Sequence, residues 1–226
     1  MQLFLYAVLV SVVYAGPRLK GMGAAVINSP WTDEAKFGKY QNALAIINNT
    51  NVTYHMASAS YKIGPHRKNV TCINFKTTHV DITKHNATAQ LKYRINQTEI
   101  SANVIILALM SKTYSYTYND LRYQPEVNEP EKNEKITLKG SGQNKYFNYN
   151  LDRIIIFSDP GNCVIVSAEN RKRVELWVND RVIDKVPECC RFMFAFFTRG
   201  RRTIYEVYNQ KCKKPGVTET AYSRSH

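Results

Sequence analysis

Residues 87–96 read ATAQLKYRIN. Ala87, Ala89, Leu91, Tyr93 and Ile95 fall on one side and Thr88, Gln90, Lys92, Arg94 and Asn96 on the other, the period of a β-strand with one buried and one wet face. The same grain runs outward in both directions, with strand-like stretches at 52–63, 70–80, 100–109, 112–118, 135–139, 146–157, 163–168 and 174–178. So many successive strands assemble economically only as antiparallel sheet. Closing the sheet removes its exposed edges, and a barrel of about eight strands is just wide enough for one small ligand. A sandwich is the alternative. Two segments break the β pattern. In WTDEAKFGKYQNALAII (31–47), early acids and apolar Phe37, Leu44 and Ile47 predict a short N-terminal helix. Pro187 opens CCRFMFAFF (189–197), whose crowded aromatics predict a short helix packed on the barrel wall.

Residues 1–15, MQLFLYAVLVSVVYA, are uncharged, apolar over about ten residues, and end in Val-Tyr-Ala before Gly16-Pro17, the pattern of a secretory signal cut after Ala15. The run is shorter than the ~20 residues that span a bilayer. The expected plan is a signal peptide at 1–15, one domain at 16–212 and a disordered basic tail at 213–226, secreted to the extracellular space with no membrane role. Export makes disulfides the natural fate of Cys72, Cys163, Cys189, Cys190 and Cys212, with one thiol left over. The cysteines form no CxxC pair and the histidines are scattered, so no metal site or cofactor is assigned. HExxH, a glycine-rich phosphate loop and a nucleophile elbow are all lacking, so no residue is assigned as catalytic and the chain reads as a binder, not an enzyme. A formal charge of +13 fits anionic mediators, acidic host proteins or sulfated polysaccharides; nucleic acid is a poor partner outside the cell. Asn48, Asn51, Asn69, Asn86 and Asn96 each open an N-x-Ser/Thr sequon, and their clustering predicts one sugar-coated side.

The functional reading turns on residues 163–190, CVIVSAENRKRVELWVNDRVIDKVPECC. Alternation puts Glu175, Trp177 and Asn179 on one face of a strand and Val174, Leu176 and Val178 on the other. Facing inward, Glu175 and Trp177 are a carboxylate beside an indole, the pair that holds an ammonium by charge and a ring by stacking. By pattern alone the outward reading leads, because glutamate is seldom buried unpaired.

Several motifs together resemble one family. Cys163, Glu175-Leu176-Trp177 and Pro187-Glu188-Cys189-Cys190 are similar to the C-terminal signature of the tick salivary histamine-binding lipocalins. Trp31-Thr32-Asp33-Glu34-Ala35 resembles the family's WxDEA helix opening, and Ser60-Tyr61-Lys62, Pro65 and Thr71-Cys72 its first hairpin. Ser158-Asp159 ahead of Asn162-Cys163, and Cys212, also fit, so the similarity runs from about residue 30 to 212. The resemblance implies an eight-stranded antiparallel lipocalin barrel with a helix at each end, secreted in saliva to sequester host mediators. It implies disulfides Cys72–Cys212 and Cys163–Cys190, with Cys189 left over or exchanging places with Cys190. It also implies that Glu175 faces the cavity. Two family acids are missing: Val164 follows the central cysteine where the family has aspartate, and Asn42-Ala43-Leu44 stands where it has Asp-Ala-Trp. The implied pocket is therefore Glu175, Trp177, Asn42 and Val164. The intact Glu-Leu-Trp favours histamine or another biogenic amine, whereas Val164 favours a lipid mediator such as an eicosanoid, fatty acid or sterol.

Overall fold

Strand β3 (Asn86–Ile95) shows why the chain folds as it does: its side chains alternate half-buried and buried along its whole length. Asn96 and Gln97 then turn the chain in two residues, because Ile95 pairs with Thr98. Asn96 adopts φ 58°, the left-handed geometry that a tight hairpin turn needs and asparagine tolerates. The computed structural model describes residues 30–64, 70–125, 152–168, 173–201, 203–214 and 217–218. The chain divides into two units, residues 1–32 and 33–226. Of the first, Pro30–Thr32 form one 3-10 turn; everything below concerns the second.

Strands β1 (Thr53–Ala59), β2 (Val70–Asp81), β3, β4 (Thr98–Leu109), β5 (Asp120–Pro125), β6 (Asp152–Asp159), β7 (Cys163–Ala168) and β8 (Arg173–Asn179) each pair antiparallel with the next. The β1–β8 and β4–β5 pairings close the ring, giving an eight-stranded antiparallel barrel. Two short strands are added outside it: β9 (Tyr205–Glu206) on β1, and β10 (Val217–Thr218) parallel to the start of β4. The expected tail at 213–226 thus begins as ordered structure, since β10 takes up backbone hydrogen bonds that the β4 edge offers.

The barrel interior is one apolar cluster that includes Tyr54, Phe75, Leu91, Tyr93, Ile106 and Trp177. Each such side chain withdrawn from water contributes about 1.5–3 kcal/mol. Phe75 is its hub, stacked on Tyr54 at 5.5 Å and edge-on to Trp177 at 5.4 Å.

The predicted N-terminal helix is present as two short pieces, α1 (Glu34–Phe37) and α2 (Ala43–Ile47), joined by a 3-10 turn at Gly38–Tyr40. Asp33 caps the first, and Asn42 restarts the helix by accepting from the amides of Leu44 and Ala45. Helix α3 (Glu188–Phe197) follows Pro187 and packs on β7 and β8 from outside.

The stretch 112–118 is not a strand, despite its alternating tyrosines. The Glu34 carboxylate accepts from the amides of Ser115, Tyr116 and Thr117 at 2.7, 3.0 and 2.6 Å, which satisfies the loop backbone without a sheet partner. The strand after β4 lies later, at Asp120–Pro125. The predicted strand at 135–139, the first half of that at 146–157, the signal at 1–15 and sequon Asn69 lie outside the described residues. Asn48, Asn51 and Asn96 are exposed, whereas Asn86, at the head of β3, is half-buried.

Cys72 is joined to Cys212 and Cys163 to Cys190, and Cys189 is a free, exposed thiol 3.9 Å from the Cys190 sulfur. The first bond pins residues 203–214 across the barrel. The second fastens α3 to β7. Among the described residues no three His, Cys, Asp or Glu side chains gather as a metal site, and no helix is long and apolar enough to cross a membrane.

Asp120, only 6% exposed, carries a carboxyl raised to about 6, by burial first and by the Asp152 charge second; Arg122 and the Arg153 amide pull it back only in part. A raised carboxyl stabilises the fold fully below its unfolded value near 4, and that contribution is lost as pH rises through about 6. Asp120→Asn should therefore raise stability at pH 7.5 relative to wild type and flatten the profile between pH ~4 and ~7. Urea unfolding at both ends of that range checks it, and an unchanged slope counts against it.

Candidate functional site

Strand β8 has no wet face. Val174, Leu176 and Val178 are 4%, 4% and 0% exposed on the outside, where α3 packs, while Glu175 and Trp177 are 0% and 1% exposed on the inside. Cross-strand neighbours confirm the sides: Val166 stands opposite Glu175 and Val164 opposite Trp177, and both valines belong to the interior cluster. The choice for Glu175 was never between water and core. It lay between the barrel lumen and the underside of a helix, and only the lumen supplies partners.

Those partners are specific. The Trp177 indole Nε1 donates to Glu175 Oε2 at 2.9 Å, and the Tyr61 hydroxyl donates to Oε1 at 2.5 Å. Arg153, 3% exposed on β6, donates from Nε to Oε2 at 3.4 Å. Its guanidinium also lies over the Tyr123 ring, 5.1 Å from the centroid, and Arg173 lies over the Tyr61 ring at 4.5 Å. Burial works against the Arg153 charge, but Glu175, Tyr123 and Tyr61 outweigh it and hold the guanidinium above its usual range. Burial, then the Glu175 charge, pushes the Tyr61 hydroxyl far up, so it stays a donor. The lumen therefore holds a cancelled charge pair inside a ring of aromatic side chains.

A carboxylate offers about four acceptor directions. Tyr61 takes one on Oε1, and Trp177 and Arg153 take two on Oε2. Among the described residues Tyr61 is the donor seen on Oε1, so Oε1 can accept a further N–H. Such an acceptor suits an N–H donor of a small ligand, and the surrounding rings suit a flat apolar body.

Of the four residues read as a pocket, the structure brings three together: Glu175, Trp177 and Val164. Asn42 is exposed, and its side-chain oxygen is already occupied in capping α2. It serves as a helix cap. The partners that sequence reasoning missed are Arg153, Tyr61 and Tyr123. Arg153 left a signal, because it shares the period-two inner face of DRIIIF with Ile155, where a charge is anomalous.

The chain matches the family model described as tick histamine binding protein over residues 31–214. It is 26% identical over 201 residues to the male-specific histamine-binding salivary protein of Rhipicephalus appendiculatus, covering 85% of this chain and 90% of that one. Among solved structures it is similar to the AM182 serotonin complex, with TM-score 0.49 and 15% identity over 75% of this chain and 91% of the other. It is also similar to insecticyanin of the tobacco hornworm Manduca sexta, with TM-score 0.42 and 11% identity over 74% and 82%. Since the family model spans the whole barrel from the N-terminal turn to the last cysteine, this chain belongs to the tick histamine binding protein family.

Proposed function

We propose that the protein is a secreted carrier that takes histamine or another biogenic amine into its barrel and withholds it from the host. The observation that carries this reading is the fully buried Glu175 carboxylate, which faces the lumen between Tyr61 and Trp177 and whose Oε1 accepts, among the described residues, from Tyr61 alone. The ammonium would donate there, and the rings would hold the body of the ligand. Family membership supports the ligand class. Two disulfides fit an oxidising compartment, in line with the signal expected at residues 1–15. Histamine binding is the role that the relative's name describes.

Histamine titrated by calorimetry into wild type and Glu175→Gln tests it. Affinity should fall about 30-fold or more in the variant, as expected when one partner of a buried charge pair is removed. No heat in the wild type would overturn the reading.

A second reading rests on Arg153. A permanently charged guanidinium in an apolar barrel can exchange Glu175 for the carboxylate of a fatty acid or eicosanoid. Buried beside Glu175, Arg153 lies where such a carboxylate would enter the lumen. The same titration with arachidonate separates the two, because Glu175→Gln should strengthen binding of the acid. Binding to a host protein or a sulfated polysaccharide through the basic exterior would instead weaken steeply with salt and leave both lumen ligands unaffected.

A further inference from the structure

Outside the barrel lies a second polar centre. Alternation sends Leu121, Tyr123, Arg153 and Ile155 inward, so Asp120, Arg122, Asp152 and Ile154 face outward on β5 and β6. Across from Ile154 stands Ser167 of β7. These side chains, walled by the turn after β4, line a cavity of about 450 Å³. Among the described residues, Asp120 Oδ1 and Ser167 Oγ are buried with no hydrogen-bond partner, in side chains that are 6% and 2% exposed. An unpaired buried carboxylate oxygen costs more than almost any other polar atom, so two such atoms lining one cavity call for a donor.

The neighbouring charges say what kind. Arg122 is committed to Asp152, with Nε to Oδ1 at 2.6 Å and Nη2 to Oδ2 at 3.3 Å. That pair cancels, and Lys112 at the rim is exposed. Asp120 is the uncompensated charge. Leu109, Met110 and Ile154 supply an apolar wall beside it. We propose that this outer cavity binds a small organic amine, its ammonium donating to Asp120 Oδ1 and Ser167 Oγ and its apolar body lying on Ile154, Leu109 and Met110. The site is separate from the lumen and does not depend on Glu175.

Phenethylamine is the probe, titrated by calorimetry into the full chain at pH 7.5 and 5.0. Asp120→Asn, which is expected to fold at least as stably as wild type, should weaken one class of sites about 10- to 100-fold and spare any lumen site. Ser167→Ala should weaken the same class by less. Wild-type binding there should fall at the lower pH as Asp120 takes up a proton; the other charged groups facing it are Asp152, Arg122 and Lys112. Glu175→Gln should leave this class intact, so failure of the lumen reading and failure of this one are told apart. If phenethylamine binds Asp120→Asn as it binds wild type, or does not bind at all at pH 7.5, the outer site is overturned.

Discussion

Replacing Arg153 by methionine should lower the stability of the empty barrel by about 3–5 kcal/mol and tighten histamine binding by about tenfold or more. The reason is the same in both directions. Arg153 is the charge partner of a carboxylate that is 0% exposed, and removing it leaves that carboxylate uncompensated in an apolar interior. An ammonium that enters then replaces a lost partner instead of competing with one. Ligand should therefore restore what the substitution removed, by about 2.7 kcal/mol at a hundred times the Kd. Thermal unfolding of Arg153→Met with and without histamine reads both effects. The double variant Arg153→Met, Glu175→Met separates charge from packing, because removing both members of a buried pair is far milder than removing one. It should regain most of the stability and bind no amine. If Arg153→Met is as stable as wild type, the pair does not hold the lumen together.

The second large effect is expected from Cys72→Ser with Cys212→Ser. The bond closes a separation of 140 residues, for which loop entropy gives about 5 kcal/mol, against about 3.5 kcal/mol for the 27-residue separation of Cys163–Cys190. Local geometry adds to it. Cys72 sits in the left-handed region at φ 55°, inside an irregularity of β2, and its amide donates to Val207 at 2.9 Å. Without the bond, residues 203–214 keep that hydrogen bond and the Arg94 contacts to the backbone of Lys211 and Lys214, but lose their covalent tie. Urea unfolding of the double serine variant should show the full loss, and a change below about 1 kcal/mol would show that the denatured chain gains nothing from the missing closure.

How far the sequence could be read depended on where the water was. Strand β3 keeps a wet side, so its alternation shows directly in Ala87–Ile95, whereas the apolar Val104–Leu109 of β4 alternates in burial but not in residue type. Strands β7 and β8 are covered on both sides, so alternation marks two faces there without saying which is inner. The orientation of Glu175 needed the family resemblance, as did the pairing of the cysteines. The false strand at 112–118 and the missed strand at Asp120–Pro125 share one cause. A single distant carboxylate, Glu34, satisfies the loop amides, and no local pattern records a contact across 81 residues. Arg153 was legible as an anomaly but not as a partner, because the residue it answers lies two strands away, on β8. Asn42 has a local role that the family comparison did not suggest: its side-chain oxygen caps its own helix.

The Cys72–Cys212 bond also sets what a protease can achieve. Any single cut between those two residues leaves both fragments covalently joined, and a cut ahead of β8 also leaves each side with barrel strands hydrogen-bonded to the other. A nicked molecule should keep its full mass on a non-reducing gel, separate into two bands only after reduction, and retain its lumen in the meantime.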